Sequence, residues 1–205
     1  MNIKKIFDIL LCRVYYGVES ILNDVKVLHI TDTPLVSHGA LIKFIKKIKP
    51  DYIIHTGDIV DNIKLELYPD RIDDYKKSAK KFILELMKYS DNIIIAIGNH
   101  DDYKFISDTF KDIIVIEKFG VADIENKKFL IVHDVKDIFK RNDFDDFDYI
   151  LYGHTYYNDE IEKGSNFYNG LKSINLIYPK LSIVQRFRYP RGTDDSRLMK
   201  FRLGI

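Results

Sequence analysis

The chain is poor in features that would divide it, staple it or give it a dominant charge. Its only cysteine, Cys12, excludes an intramolecular disulfide and reads as a structural thiol in an apolar helical stretch. A reducing, cytoplasmic compartment is the expectation that follows. Pro and Gly are few and scattered, with no linker rich in either, so residues 1–205 are expected to form a single domain with a sizeable core. Lys plus Arg (32) nearly cancels Asp plus Glu (31), which removes the basic field that drives non-specific nucleic-acid binding. No apolar run is long enough to span a membrane. Lys4 and Lys5 precede one near the start, but Asp8 and Arg13 interrupt it before it resembles the hydrophobic region of a signal peptide. Ile3, Ile6, Phe7, Leu10, Leu11, Val14, Val18, Ile21 and Leu22 follow helical spacing instead. Residues 1–22 are therefore expected to form an amphipathic helix packed on the domain, with membrane-surface or partner binding as the sharper alternative.

What the chain does have is a series of apolar runs that end in polar clusters. Asn92-Ile93-Ile94-Ile95-Ala96-Ile97 reads as a buried parallel strand and runs into Gly98-Asn99-His100-Asp101. Val27-Leu28-His29-Ile30-Thr31 ends at Asp32, and Tyr52-Ile53-Ile54-His55-Thr56 leads into Gly57-Asp58. Phe129-Leu130-Ile131-Val132 ends at His133, and Tyr149-Ile150-Leu151-Tyr152 leads into Gly153-His154. Donors in these places lie at the carboxyl edge of a sheet, where open α/β folds assemble their sites. Carboxylate, amide oxygen and imidazole together suit Mn, Fe, Co or Zn better than Ca or Mg alone. A single Gly-Asp at a strand end is an ordinary turn; the ordered set is the specific signal.

Between these strands the periodicity predicts a helix carrying Leu41, Ile42, Phe44, Ile45 and Ile48, stopped by Pro50, and a long amphipathic helix within residues 69–89. A short helix near Phe105 and a short strand at Ile113–Ile116 follow, so this half should be a parallel sheet. Beyond it, Gly120–Ile124 and Lys128–His133 should form a hairpin about Asn126. Ile161–Lys163, Leu171–Leu176, Leu181–Phe187 and Met199–Leu203 read as further strands of a second, mixed or antiparallel sheet.

The ordered clusters Asp32, Gly57-Asp58, Gly98-Asn99-His100-Asp101, His133 and Gly153-His154 resemble the five motifs of the calcineurin-like metallophosphoesterase family. The resemblance implies a four-layer α/β/β/α sandwich, two mixed sheets flanked by helices, and hydrolysis of a phosphomonoester or phosphodiester by a metal-activated water. It implies that Asp58 bridges two metals, that Asn99, His133 and His154 complete the second metal's ligands, and that Asp32 belongs to the first. His100 would face the substrate, oriented by Asp101 or a backbone carbonyl. Its substrates would be small phosphorylated or nucleotide-like molecules.

Two departures fall on the same metal. The family's opening Asp-x-His reads Asp32-Thr33-Pro34 here, and its closing Gly-His-x-His reads Gly153-His154-Thr155-Tyr156. The expectation is one tightly bound divalent transition metal, Mn favoured, and a second held weakly if at all. Tyr156 as a phenolate is a conceivable ligand against an ordinary pKa of about 10. His38 is near enough to Asp32 to replace a ligand, or to serve the loop or helix cap. Asp61 reads as a residue orienting a ligand or its loop, and His29 and His55 as satisfied core histidines. Tyr189-Pro190-Arg191-Gly192 resembles a Pro-Arg-Gly ending of small phosphodiesterases in the family, which makes Arg191 a candidate phosphate contact. The alternative function is a scaffold, like the retromer subunit that keeps this fold without efficient hydrolysis, binding a partner protein. Oligomeric state is open, a homo-oligomer included.

Overall fold

Apolar runs buried on both faces make parallel strands, and here they form the centre of the molecule. The structure, a computed structural model, describes residues 14, 21–138, 141–155 and 166–198. The amphipathic helix expected over 1–22, apart from Val14, Ile21 and Leu22, lies outside the described residues, as do the strands expected at 161–163 and 199–203 and the side chain of Tyr156.

Strands β1 (Val27–Ile30), β2 (Tyr52–His55), β3 (Asn92–Ala96) and β4 (Ile114–Ile116) run parallel in that order. Helix α1 (Leu35–Ile48) connects the first pair and α2 (Ile72–Leu86) the second, while α3 (Tyr103–Thr109) precedes β4. Strands β5 (Phe119–Ile124) and β6 (Lys127–Val132) form the expected hairpin. Its turn residues, Glu125 and Asn126, both have positive φ (54° and 58°), as a two-residue turn matched to strand twist requires. Strands β7 (Tyr149–Tyr152) and β8 (Phe167–Asn169) extend this second sheet in parallel, giving the order β5-β6-β7-β8.

The last two strands correct the sequence reading. Residues expected in the second sheet form β9 (Ile174–Tyr178) and β10 (Ile183–Phe187), and both join the first: β9 is antiparallel to β1 and β10 to β9. The first sheet therefore runs β10-β9-β1-β2-β3-β4. All of β9 is buried, so its run of apolar residues carries no alternation to say which sheet it joins. Helix α4 (Thr193–Leu198) and β8 have too little apolar periodicity to be read from sequence.

Alternation along each strand sorts side chains into layers. Leu28, Ile30, Ile53 and Ile95 pack outward against Leu41, Phe44, Ile45, Tyr75, Phe82 and Ile83 of α1 and α2. Val27, Ile54, Ile94 and Ile177 point inward against Phe129, Ile131, Tyr149 and Leu151, with the Phe129 and Tyr149 rings stacked 4.6 Å apart. The outer face of the second sheet, Leu130, Val132, Ile150 and Tyr152, is covered by Val135, Ile138 and Phe147. Among the described residues that fourth layer consists of single 3-10 turns, Val135–Ile138 and Phe144–Asp146.

Candidate metal centre

The carboxyl ends of β1, β2, β3, β6 and β7 meet where the two sheets come together, and each delivers one of the sequence-predicted groups. The backbone there is held in an unusual state. Asp32 (φ 45°), Asp58 (φ 56°) and His154 (φ 66°) are left-handed, which side chains adopt at a cost of order 1–3 kcal/mol each where surrounding contacts over-determine them. Gly57 (φ 97°) precedes Asp58, and a Cβ there would collide with the His133 ring and the Gly98 backbone. A Cβ on Gly98 would strike the Asp58 carboxylate. Close approach of the β2 and β3 ends thus needs both glycines.

Four groups converge. His133 Nδ1 donates to the Thr56 carbonyl at 2.6 Å, so Nε2 turns its lone pair inward. It lies 3.1 Å from Asn99 Oδ1, 3.1 Å from His154 Nδ1 and 3.6 Å from Asp58 Oδ2. Asn99 is oriented by Glu66, whose Oε2 accepts its Nδ2 at 2.6 Å and leaves Oδ1 facing the cluster. His154 has Nε2 3.7 Å from Asp134 Oδ2, which turns Nδ1 inward. Two donors each about 2.1 Å from one ion, at angles of about 90° to 110°, lie roughly 3.0 to 3.4 Å apart. The cluster fits a transition-metal ion on that measure.

The electrostatics express the same demand. Burial alone would lower the pKa of His133, but Asp58, Asp32 and the Thr56 carbonyl outweigh it and push the imidazole up to about 9. Burial pushes the Asp58 carboxyl well above its usual range; His133 opposes this and Asp32, Asp101 and Asp61 reinforce it. Burial, with His133 next, lowers His154. A cation bound among these groups would satisfy them all without a shared proton.

His100 sits at the rim, its side chain 10% exposed, with its backbone N–H fixed to Asp58 Oδ1 at 2.9 Å. Burial and then the charge of Lys64 lower its pKa to about 4. Asp101 does something else. It accepts from the backbone N–H groups of Asp58 (2.7 Å), Gly98 (2.9 Å) and Ile59 (2.9 Å) and from the Tyr75 hydroxyl (2.8 Å). Its four donors tie the end of β2 to the end of β3, and none of them is the His100 ring.

The corner around Asp32 is built differently. Asp32 Oδ2 accepts from the Thr31 hydroxyl (2.6 Å) and the His154 backbone N–H (3.1 Å). Pro34, in place of an imidazole, begins the turn into α1. His38 does not reach this corner: Nε2 lies 2.9 and 3.0 Å from the Thr33 and Ile59 carbonyls and the ring stacks on Phe82 at 3.8 Å. His29 and His55 are satisfied in the core by Thr56 and Asn175 and by Thr33 and Gly57. Arg191 is exposed, and Arg197 instead reaches the site's backbone, donating to the carbonyls of Asp32 (2.8 Å), Thr31 (3.0 Å) and Leu171 (3.1 Å).

Sequence reasoning missed Glu66, Asp134, Tyr75, Arg197 and Lys64. The first four act by holding ligands or backbone, and nothing in their local spacing announces it. Asp134 had a signal, since it directly follows His133.

These features define a two-sheet α/β fold with a cluster of candidate metal ligands at its strand ends, and the calcineurin-like phosphoesterase profile matches residues 25–158: the chain belongs to that family. An archaeal phosphodiesterase of known structure is similar in fold, 18% identical, with a TM-score of 0.53 over 78% of this chain and 98% of that one. The phosphoesterase YfcE from E. coli is 10% identical at a TM-score of 0.47, covering 82% of this chain and all (100%) of that one. Vps29 of Entamoeba histolytica, solved with zinc, is 16% identical at a TM-score of 0.44, covering 71% and 73%. No curated protein matches the chain. Among the described residues no helix is long and apolar enough to cross a membrane.

Proposed function

We propose that this protein is a metal-dependent phosphoesterase that hydrolyses a small phosphomonoester or phosphodiester. The observation that carries the reading is the convergence of Asp58 Oδ2, Asn99 Oδ1 and His154 Nδ1 on His133 Nε2, each 3.1 to 3.6 Å from it. A divalent transition-metal ion held there, Mn favoured, would polarise a phosphoryl oxygen and acidify a water. His133 and His154 enter as neutral ligands, oriented by the Thr56 carbonyl and Asp134.

His100 is placed to meet the substrate. With a pKa of about 4 it is neutral near pH 7, so it offers an N–H to a phosphoryl or leaving-group oxygen rather than a full charge. Asp101 acts through Asp58, Ile59 and Gly98, fixing the loops from which the ligands project. Asp32 and Asp58 supply the negative field that favours a cation at this edge.

The test pairs elemental analysis with hydrolysis of an aryl phosphate and a bis-aryl phosphate with and without added Mn. One retained metal and Mn-stimulated hydrolysis of either ester are expected. A protein that retains no metal and cleaves neither ester would refute the proposal.

A further inference from the structure

The loop after β2 carries a cation, Lys64, to the buried carboxylate of Asp61. Lys64 follows the 3-10 turn Asp61–Ile63 in the left-handed conformation (φ 49°). Its carbonyl accepts from Leu67 N (2.9 Å) and Tyr68 N (3.0 Å), so its backbone position is fixed. The side chain is 14% exposed, and its ammonium donates to Asp61 Oδ1 at 2.5 Å. Asp61, 1% exposed, shares with Asp58 and His100 a group whose ligand atoms all lie within 4.8 Å of one another. Asp32 is the largest charge acting on Asp61, and Lys64 the largest acting on His100.

Charge decides what such a lysine is for. Asp32, Asp58 and Asp61 are buried, and Asp101 is half-buried. Asp101 spreads its charge over four donors, leaving three carboxylates. One divalent ion beside Asp58 and one ammonium balance those three. A second divalent ion added to Lys64 would leave two uncompensated positive charges in a desolvated site, which is costly.

We propose that the Lys64 ammonium stands where the family places its first metal. It is the resident cation of the Asp32, Asp58 and Asp61 corner, it excludes a second divalent ion, and it contacts a phosphoryl oxygen of the substrate beside His100. The contact rests on the phosphoesterase reading; the exclusion requires only the metal centre. Lysine serves anions as a compact point charge on a flexible stem, which suits an oxygen whose position shifts during reaction.

Two measurements on the wild type, Lys64→Met and Lys64→Arg test it. Methionine tolerates the backbone at this position as well as lysine does, and Lys64→Arg keeps the charge should Lys64→Met fold poorly. The first is Mn content after saturation and gel filtration: one ion per chain is expected in the wild type and Lys64→Arg, and close to two in Lys64→Met. The second is inorganic phosphate binding at one equivalent of Mn, expected to weaken about tenfold in Lys64→Met, the loss of one modest charge-assisted contact. Equal Mn content in all three proteins at one per chain would overturn the exclusion, and unchanged phosphate affinity would overturn the contact. Two Mn in the wild type would overturn the substitution of metal by lysine. No Mn in any of them would overturn the metal centre itself, and the proposal with it.

Discussion

Two corners of one pocket share Asp58 and are built on opposite principles. The corner of Asn99, His133 and His154 gathers ligand atoms that face one another, and each is aimed by a partner: Glu66, the Thr56 carbonyl and Asp134. The corner of Asp32 and Asp61 gathers carboxylates, has the His100 imidazole at its rim, and meets a covalent cation where Lys64 donates to Asp61. On the proposed reading the first recruits a divalent ion from solution and the second supplies an ammonium covalently, so that two positive poles would flank a phosphoryl group with only one ion from outside.

The comparison breaks most completely at the centre of the first corner. His133→Ala removes the nitrogen facing Asn99, His154 and Asp58 together, and metal retention and turnover should both fall by more than the roughly 100-fold that loss of a ligand's supporting partner costs. Elemental analysis and hydrolysis rates on one preparation check it. His100→Ala should separate the two quantities: turnover falls by about 10²- to 10⁴-fold while the metal content stays that of the wild type. Unchanged turnover would remove His100 from the chemistry. Glu66→Gln sharpens the first corner from its rim, because a glutamine can also donate and so fixes the Asn99 amide less firmly. Metal affinity is expected to weaken about 10- to 100-fold, read by competition with a chelator.

A different observable, stability against pH, concerns the histidines outside the metal cluster. Burial lowers His29 to about 3 and His38 to about 4, from an ordinary 6.5. The unfolded chain then binds protons that the folded chain refuses, so stability is full above pH 6.5 and is lost as pH falls from there toward 4 and 3. The slope should reach about 1.4 kcal/mol per pH unit for each histidine. Urea unfolding across this range checks it, and a flat profile between pH 6.5 and 4 would show that these rings are not buried neutral.

Much of the candidate ligand cluster was legible because its members follow apolar runs: β1 before Asp32, β2 before Asp58, β3 before Asn99 and β6 before His133. Strand periodicity and strand-end chemistry are local, so sequence displays them. Sheet membership is not local. Ile174–Tyr178 is buried along its whole length and pairs with β1, nearly 150 positions earlier, which no pattern within the segment encodes. The role of Asp101 was equally hidden, since its neighbour His100 suggested a ring to orient while the fold offered four other donors. Lys64 and Glu66 lie in an irregular loop without periodicity, and their meaning comes only from where that loop closes over the site.

The central claim is that one divalent ion is held, and that it sits between Asp58, Asn99, His133 and His154. A crystal grown with Mn and measured at the Mn absorption edge tests it most directly. One anomalous peak within about 2.3 Å of all four ligand atoms, with the Lys64 ammonium beside Asp61, is the expected result. A second peak of equal height between Asp32 and Asp61, with Lys64 turned away, would contradict it.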